Sequence, residues 1–467
     1  MEERRIDVER GDVRIPEGRG GREMERPRVV VILAAGRSER LEQVTGGGSK
    51  ALIRLAGVSL VERAVRTTLA TGIEEVIVVV GYHAGPVAAV VRSIKGLPPG
   101  TVRIVPAEDW EAGNGASLAA TAPHLSNEGL FVVMTADHVF AEGALDAICR
   151  SRSPAVLVDP DPAADAWAEG TRVRVVEGKA IAFDKELPEP AVDCGVFVVS
   201  PEIFDCQREA AREGDSSLAG AVTRYSQRRA LGAVAIPVRS WWQDIDTPAD
   251  LARGQRLLRR SLAKPEDGPV SRYLNRPFST RLSMWIAPAR LSPDLLSWIS
   301  AAFAIGAAAL LGAGSAIAGG LLTHVTSLVD GMDGEAARLQ LRARPSGALL
   351  DGTLDRVADA AIVGGLGIWA LSATALSTAV VLVLAVAATF GSVMSMASKD
   401  RITAYGLPPQ NEPAFAWLLA GRDGRLFLVA ILAILGLPAA ALAAVAATAT
   451  LTLVVRVTSV LLWSPHQ

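Results

Sequence analysis

Three kinds of feature are scarce in this sequence of 467 residues. Its three cysteines, Cys149, Cys194 and Cys206, have no metal-site spacing, and they indicate a reducing compartment. The net charge of −2 gives no electrostatic reason to expect nucleic-acid binding. Residues 1–28 contain no apolar run of the kind found in a signal peptide, so we expect a mobile charged tail there.

Charge is distributed unevenly along the chain. Residues 1–290 have the composition of a soluble protein, whereas residues 291–467 consist mainly of Ala, Leu, Val, Ile and Gly, with their charges in a few clusters. A chain of this length is expected to form two or three domains. We predict a flexible charged tail at 1–27 and a soluble domain at 28–262. A linker with an interfacial helix follows at 263–290, and a membrane domain at 291–467.

Four aspartates lie among hydrophobic segments that are long enough to enter a bilayer: Asp330, Asp333, Asp351 and Asp355. A carboxylate at that depth is costly and is by default a functional candidate. Because residues three or four apart share a helix face, two antiparallel helices joined at the polar break 342–346 would bring both pairs together. Oxygen ligands of this kind suit Mg²⁺ or Mn²⁺, and two such ions could clamp a pyrophosphate.

The aspartates belong to a longer pattern, D-x2-D-G-x2-A-R-x8-G-x3-D-x3-D, which starts at Asp330. This pattern resembles the complete signature of the CDP-alcohol phosphotransferases. The resemblance implies that all four aspartates hold two metal ions and that Asp355 is the general base for the acceptor hydroxyl. It also implies a site for the CDP-alcohol lined by Gly334, Ala337 and Arg338. Four exposed acids in an ordinary amphipathic hairpin are the alternative, which the apolar flanking segments disfavour.

A second pattern begins at the apolar run Val29–Leu33, which predicts a buried parallel strand. The glycine-bearing turn after it offers backbone N–H groups to a phosphate. The sequence L-A-A-G-x-x-x-R-L and a later lysine resemble the nucleotidyltransferases that join a sugar or polyol phosphate to an NTP. Ser38 and Ser49 depart from that family, which usually has glycine and proline there. The residues that match its nucleotide-binding positions are Leu33, Ala34, Ala35, Gly36, Arg40 and Lys50.

The same resemblance assigns a metal site. Asp137 follows the predicted strand Phe131–Thr135, and ligands bind at the carboxyl ends of such strands. Asp244 is the first choice for a second metal ligand, in the sequence W-x-D-x-D-T-P, and Asp246 is the next choice. A helix cap is the alternative role for Asp137, and the alternative at the later sequence is that Asp246 or Thr247 only caps the following helix. We expect His138 to be structural rather than a ligand.

Other residues are assigned to the two substrates by the resemblance. The turn with Gly113, Asn114 and Ser117 is expected to cradle the base and ribose, and a plain strand-to-helix loop is the alternative. Lys185 is expected to contact the acceptor phosphate, unless it is an ordinary surface lysine, and Asp193 to bind substrate hydroxyls. In the implied reaction, a phosphate monoester oxygen attacks the α-phosphorus of the NTP and pyrophosphate leaves. Positioning, together with stabilisation of the pentavalent charge by Arg40, Lys50 and Mg²⁺, is then enough for catalysis, and no nucleophilic side chain is needed.

The C-terminal part has the hydrophobic segments of a multi-pass membrane protein, each close to the roughly 20 residues needed to cross a bilayer. Breaks without charge alternate with breaks that carry Lys and Arg, which predicts a cytoplasmic location for both termini and both active sites, at the cell inner membrane. Gly and Ala throughout permit close helix packing. We predict six transmembrane helices near 293–312, 316–340, 347–372, 374–398, 425–439 and 441–462.

Two basic stretches border these segments. Residues 271–287 mix arginines with aromatic and apolar residues, which is typical of a helix at an anionic membrane surface, and a soluble connecting helix is the alternative. Lys399 and Arg401 follow the fourth predicted span, where they could bind the phosphate of the acceptor. Anchoring by the positive-inside rule explains them equally well.

The predicted fold is an α/β Rossmann-like nucleotidyltransferase domain followed by an all-α domain of six transmembrane helices of the CDP-alcohol phosphotransferase type. Such a fusion resembles the bifunctional inositol-1-phosphate cytidylyltransferase/di-myo-inositol-phosphate-phosphate synthases, over about residues 28–467. The resemblance implies that CTP and inositol 1-phosphate give CDP-inositol and pyrophosphate. CDP-inositol and a second inositol 1-phosphate then give a phosphorylated di-inositol phosphodiester and CMP. Enzymes of this family make a solute that is linked to heat and salt tolerance.

The implied partners are CTP, inositol 1-phosphate, CDP-inositol and a lipid bilayer, with Mg²⁺ or Mn²⁺ in both domains and no nucleic acid. We expect any homodimer to form through the membrane domain. A lipid enzyme that transfers a CDP-activated polyol to or from diacylglycerol would share every aspartate and is the nearest alternative. A membrane-anchored nucleotide-binding module without catalysis is an alternative of another class, which the complete set of charged residues in the first domain disfavours.

Overall fold

The computed structural model describes residues 25–37, 39–125, 128–265, 267–406 and 421–462. Its N-terminal part contains thirteen strands. They are β1 (Val29–Ala34), β2 (Arg54–Leu55), β3 (Val58–Ser59), β4 (Glu75–Val80), β5 (Val102–Pro106), β6 (Phe131–Thr135), β7 (His138–Phe140), β8 (Ala155–Asp159), β9 (Arg172–Val176), β10 (Lys179–Asp184), β11 (Val192–Val199), β12 (Leu231–Ala235) and β13 (Trp242–Asp244).

The main sheet has nine strands in the order β5-β4-β1-β6-β11-β8-β12-β10-β9. β1 pairs in parallel with β4 and β6, and β4 pairs in parallel with β5. β11 is antiparallel to both β6 and β8, so the second half of the sheet is mixed. The strands predicted at 29–33 and 131–135 are confirmed, with one added residue in β1.

Both faces of this sheet are covered. Along β1, Val30 and Ile32 belong to one hydrophobic cluster, whereas Val29, Val31 and Leu33 belong to the cluster on the opposite face. This two-sided burial explains why the strand is a continuous apolar run instead of an alternating one. The nucleotidyltransferase part of the predicted fold is thereby supported by its architecture.

Helices cover the sheet and form the described stretches of the C-terminal part. In the N-terminal part they are α1 (Glu42–Thr45), α2 (Leu60–Ala70), α3 (Ala84–Arg92), α4 (Asn114–Ala119), α5 (Ala122–Leu125), α6 (Asp146–Cys149), α7 (Ala164–Glu169), α8 (Glu202–Arg212), α9 (Leu218–Arg228) and α10 (Pro248–Arg260). After them come α11 (Arg276–Ile286), α12 (Pro293–Gly312), α13 (Ala316–Leu339), α14 (Pro345–Ala373), α15 (Thr378–Ala404), α16 (Arg422–Ile434) and α17 (Pro438–Leu461).

The helices α12 to α17 begin and end close to the six predicted segments. Four of them, α12, α14, α15 and α17, are long and apolar enough to cross a membrane. α12 packs against α13 and α14, and α15 packs against α17. A Cβ at Gly365 of α14 would overlap the carbonyl oxygen of Ala308 in α12, so small residues do permit the close packing expected. The number of six spans stays a prediction.

The segment predicted as an interfacial helix has two different faces. After a single π-helical turn at Ser271–Asn275, α11 packs against α13, and the amide of Asn275 donates a 2.9 Å hydrogen bond to Ser327 Oγ. The other face exposes large aromatic side chains, including Phe278 and Trp285, which are 64% and 78% exposed. An exposed aromatic face beside apolar helices is the arrangement expected at a membrane surface.

Two candidate active sites

The first candidate site is a pocket of about 390 Å³ at the carboxyl ends of β1 and β6. Ligands bind at this edge in open α/β sheets. The pocket is lined by Leu33, Ala34, Gly36, Arg37, Arg40, Lys50, Ala51, Asn114, Thr135, Ala136, Asp137 and Asp246. Most residues predicted to bind the nucleotide are therefore brought together, and Arg37 is an additional cation that the sequence pattern did not single out.

Three predicted nucleotide-binding residues lie away from the pocket surface. Ala35 is buried at the end of β1. Ser117 is buried within α4, and its hydroxyl donates a 3.3 Å hydrogen bond to the carbonyl oxygen of Gly113. Gly113 lies against the backbone of Ser216, just before α9. In this turn only Asn114 reaches the pocket.

Lys50 contacts three carboxylates in this site. Its Nζ lies 2.8 Å from Oδ2 of Asp137 and 3.5 Å from Oδ1 of Asp244, and it is hydrogen-bonded to Asp246. Arg40 donates a 2.7 Å hydrogen bond to Asp246 from the opposite side. Burial opposes the charge of Lys50, but the three carboxylates, Asp137 foremost, outweigh burial and raise its pKa above the ordinary value.

A short pair of strands aligns the carboxylates. β13 pairs with β7 in antiparallel register, which places Asp244 opposite His138. The His138 ring stacks on Trp242 at 5.5 Å, and its Nδ1 lies 2.8 Å from Oδ1 of Asp137 and 2.7 Å from the hydroxyl of Thr135. The sequence predicts Asp137 at the carboxyl end of a strand, but the pairing of β7 with β13 joins segments that are far apart in the chain.

The two aspartates differ in how easily they ionise. Burial favours the neutral form of Asp137, but Lys50 and then His138 hold its pKa well below the ordinary value. Burial, together with the charge of Asp137, raises the pKa of Asp244 to about 6, although His138 acts in the opposite direction. Burial would lower the pKa of His138, but Asp244 and Asp137 raise it to about 9.

Asp246 is not the cap of the following helix. Thr247 is the N-cap of α10, and it forms a reciprocal capping box with Asp250. The Asp246 side chain is thus left to contact Lys50 and Arg40. The alternative that the sequence left open, a capping role, applies to Thr247.

The predicted substrate residues Lys185 and Asp193 lie outside the lining of the pocket. Asp193, in β11, accepts a 2.8 Å hydrogen bond from the backbone N–H of Gly195. Burial raises the pKa of Asp193. Lys185 is exposed just after β10. Their roles toward a substrate stay predictions.

The second candidate site is formed by side chains of α13 and α14, which both pack against α12. Oxygens of Asp330, Asp351 and Asp355 lie within 4.8 Å of one another. Asp333 is buried beside them and accepts hydrogen bonds from Ser297 of α12 and from the backbone of Gly334. The predicted polar break separates the two helices, since α13 ends at Leu339 and α14 starts at Pro345.

Arg422, at the start of α16, is the cation of this second site. It lies 2.5 Å from Oδ2 of Asp330, 2.9 Å from Oδ1 of Asp355 and 3.0 Å from Oδ1 of Asp359. The positive-inside pattern accounts for Arg422 only as a basic residue in a break between predicted spans, and no sequence pattern singles out Asp359. The sequence does place Arg422 next to a predicted span, and an arginine at membrane depth needs an acidic partner.

The remaining predicted residues of the second site lie around this cluster. Gly334 and Ala337 are half-buried on α13. Arg338 donates a 3.0 Å hydrogen bond to the carbonyl oxygen of Leu262, in the N-terminal part. Lys399 and Arg401 are exposed near the end of α15. Asp400 between them forms a 2.7 Å ion pair with Arg356 of α14, next to Asp355 in the chain.

Both acidic clusters fit a divalent cation. In the first, Asp137, His138 and Asp244 offer ligand atoms within 4.8 Å of one another, as the three aspartates of the second cluster do. Oδ1 of Asp244 is buried and has no hydrogen-bond partner among the described residues. A buried carboxylate oxygen without a donor is costly, and a metal ion would remove that cost.

Comparisons with known proteins agree with this two-part arrangement. The MobA-like NTP transferase domain family matches residues 30–266. The bifunctional IPC transferase and DIPP synthase of Rubrobacter xylanophilus is 36% identical over 415 residues, which cover 88% of this chain and 91% of that protein. The protein of the same name from Thermococcus kodakarensis is 32% identical and covers 87% and 90%, respectively.

Among solved structures, the inositol-1-phosphate CTP transferase from T. maritima is similar to part of the chain. It is 22% identical, with a TM-score of 0.45, and the match covers 50% of this chain and 96% of that one.

The chain thus has an NTP transferase domain with an acidic pocket, joined to apolar helices that carry a second acidic cluster. The chain is a transferase of the nucleotidyltransferase and phosphotransferase types. More specifically, it belongs to the family of the bifunctional IPC transferases and DIPP synthases.

Proposed function

We propose that this chain makes CDP-inositol from CTP and inositol 1-phosphate in its first site. In its second site it transfers the phosphoinositol group of CDP-inositol to a second inositol 1-phosphate. The products of the second step are phosphorylated di-inositol phosphate and CMP. The single observation that carries this proposal is the presence of two acidic clusters in one chain, one in the nucleotidyltransferase sheet and one between α13 and α14.

In the first step, an oxygen of the inositol phosphate attacks the α-phosphorus of CTP, and the bond to the pyrophosphate breaks. Gly36 and Asn114 line the pocket beside the bound nucleotide, and Arg40 and Lys50 neutralise the charge that develops on the phosphorus oxygens. Such preorganised cations are worth about a hundredfold to a thousandfold in rate. Lys185 and Asp193 bind the phosphate and the hydroxyls of the inositol phosphate.

In the second step, a hydroxyl of the acceptor attacks the β-phosphorus of CDP-inositol, and the bond to the CMP oxygen breaks. Asp355 accepts the proton of that hydroxyl, since its carboxylate lies within the acidic cluster. Gly334 and Ala337 leave room for the cytidine part, and Arg338 supplies positive charge. Arg422 offsets part of the negative charge of the three carboxylates it contacts.

The phosphate of the acceptor binds at Lys399 and Arg401. Both side chains are exposed at the end of α15, so they are accessible to a soluble phosphate. The ion pair between Asp400 and Arg356 fixes this end of α15 against the helix that carries Asp355. This contact supports a location for the acceptor phosphate close to the proton acceptor.

Divalent cations, Mg²⁺ or Mn²⁺, complete both sites. Asp137, Asp244 and, as second choice, Asp246 would hold the ion in the first domain. Asp330, Asp333, Asp351 and Asp355 would hold the ions in the second. When bound, such ions offset the charge of the phosphates and polarise their oxygens.

The C-terminal domain, at 291–467, crosses the inner membrane six times, and both sites face the cytoplasm. Four helices qualify as spans by length and composition, and α13 and α16 pack among them. Arg342 follows the end of α13 and Arg401 lies in the last turn of α15, and the positive-inside rule places such basic helix ends in the cytoplasm. A homodimer through the membrane domain is part of the same proposal.

A labelling experiment tests this function against the lipid alternative. Membranes that contain the full chain are incubated with Mg²⁺, labelled CTP and inositol 1-phosphate, and the products are followed by ³¹P NMR. We expect CDP-inositol first and the water-soluble di-inositol product afterwards. A phosphoinositol product in the organic phase, or activity with a different polyol phosphate only, would contradict the assignment.

A further inference from the structure

The two domains are joined by a close contact at a tight hairpin. Ala56 and Gly57 form the turn between β2 and β3, with φ angles of 50° and 79°. A Cβ at Gly57 would overlap the carbonyl oxygen of Ala287, at the end of α11. Glycine is therefore needed at this position both for the left-handed backbone and for the approach of the next domain.

Arg63 extends this contact to the helix that carries the first two aspartates. The side chain is buried in α2, and its Nη2 donates to the carbonyl oxygen of Leu55 at 2.9 Å and of Leu339 at 3.0 Å. Leu339 is the last residue of α13, where carbonyl groups have no partner within the helix. A buried guanidinium at that end both satisfies the carbonyl and complements the helix dipole.

A shared hydrophobic cluster lies under the same contact. Leu339 and Ala287 of the helical part pack in one cluster with Leu41, Val139 and Ile245 of the nucleotidyltransferase part. These three residues are the chain neighbours of Arg40, His138 and the pair Asp244 and Asp246, which form the first site. The end of α13 is thus part of the core on which the first site rests.

Two further side-chain contacts join the helical part to the nucleotidyltransferase part. Arg338, which precedes Leu339, donates its 3.0 Å hydrogen bond to the carbonyl oxygen of Leu262, after α10. Glu62, next to Arg63, forms a 2.7 Å ion pair with Arg290, before α12. Both contacts hold the helical domain from the side of the nucleotidyltransferase domain.

We propose that this contact, formed by Gly57, Arg63 and the end of α13, couples the two domains, and that Arg63 is a positioning residue for the second reaction. Arg63 fixes the carbonyl of Leu339 and thereby the position of the end of α13, the helix that carries Asp330 and Asp333. The coupling rests on the proposed function of the second site.

Two glycines permit a matched test. Gly178, in the hairpin between β9 and β10, has a φ of 73° and follows Glu177 at 49°, so its turn matches that of Gly57. A Cβ at Gly178 would meet nothing within 4 Å. The variants Gly57→Ala and Gly178→Ala therefore carry the same backbone strain, and only the first one disturbs the contact between the domains.

The two variants and the wild type are compared in the second step with supplied CDP-inositol. We expect Gly57→Ala to raise the KM for CDP-inositol about tenfold, because a displaced binding group weakens positioning, while the KM for inositol 1-phosphate is unchanged. Gly178→Ala should match the wild type within about twofold. Equal KM values for both variants would overturn the coupling, whereas absence of the second step in the wild type would refute the proposed function.

Hydrogen exchange tests the coupling independently of activity. We expect the amides of residues 336–342 to exchange about tenfold faster in Gly57→Ala and in Arg63→Met than in the wild type or Gly178→Ala. Arg63→Lys, which keeps a donor, should restore part of the protection. Unchanged exchange at the end of α13 in both Gly57→Ala and Arg63→Met would show that the contact does not hold this helix.

Discussion

The guanidinium of Arg422 lies 2.9 Å from Oδ1 of Asp355, although the two residues belong to helices that are not adjacent in the chain. It also contacts Asp330 and Asp359, and its side chain is 12% exposed. Removing one partner of such a buried pair costs about 3–5 kcal/mol, because the other charges stay behind. Arg422 is therefore an integral part of the second site.

We expect Arg422→Met to reduce the second step about a hundredfold with supplied CDP-inositol, since an uncompensated charge disturbs the geometry of the cluster. The first step, measured as pyrophosphate release from CTP, should be unchanged. Arg103→Met is the control, because Arg103 is exposed on β5 and contacts Glu75 and His124, which belong to neither acidic cluster. Full second-step activity in Arg422→Met would contradict a role for this arginine.

Lys50→Met should affect the other reaction. Lys50 contacts Asp137 and Asp246 in the first pocket, so its loss removes charge neutralisation there, and we expect the first step to fall about a hundredfold to a thousandfold. The second step with supplied CDP-inositol should stay at the wild-type rate. Lys95→Met, at an exposed position, is the matched control. A wild-type rate of CDP-inositol formation in Lys50→Met would rule out the assigned role.

The raised pKa of Asp244 predicts a dependence of stability on pH. Its pKa is raised from 3.8 to about 6 in the folded protein, by burial first. A carboxyl whose pKa is raised by folding adds stability at low pH and loses that contribution as the pH rises through the folded value. In EDTA, Asp244→Asn should therefore have a higher Tm than the wild type at pH 7.5.

The difference in Tm should shrink as the pH falls below about 6, because the wild-type carboxyl then binds a proton. Asp246→Asn provides a comparison of opposite sign, since Asp246 is ion-paired with Arg40 and Lys50 and its loss should lower the Tm at pH 7.5. A Tm for Asp244→Asn below that of the wild type at this pH would show that the carboxylate is stabilising.

Membrane topology can be read by cysteine labelling, because the three native cysteines are buried. Ser315, between α12 and α13, and Tyr405, after α15, are both exposed. In intact cells an impermeant maleimide should label Ser315→Cys, whereas Tyr405→Cys should react only after the membrane is opened. Labelling of Tyr405→Cys in intact cells would reverse the predicted orientation.

Local sequence patterns predicted the elements well. The apolar run at Val29–Leu33 forms the strand β1 within the main sheet. Asp351 and Asp355, which are four residues apart, lie on one face of α14 as predicted. The predicted spans match the bounds of α12 and lie within a few residues of the other helices. Periodicity and spacing suffice where neighbours in the chain decide the structure.

Contacts between distant segments were not predictable in this way. The pairing of β13 with β7, which aligns Asp244 with His138, joins segments far apart in the chain. The approach of Arg422 to the aspartates and of Arg63 to Leu339 depends on how whole helices pack. The charge and hydrophobicity of each residue can be read from a single sequence, but the contacts between buried charges from distant segments cannot.

Two variants measured together test the central claim, that two separate sites in one chain act in sequence. Asp137→Asn and Asp355→Asn are each incubated with CTP, inositol 1-phosphate and Mg²⁺, alone and mixed, and the products are followed by ³¹P NMR. We predict that Asp355→Asn accumulates CDP-inositol, that Asp137→Asn makes no product, and that the mixture restores the di-inositol product. Loss of both steps in each variant, with an unchanged Tm and no product in the mixture, would contradict the two-site account.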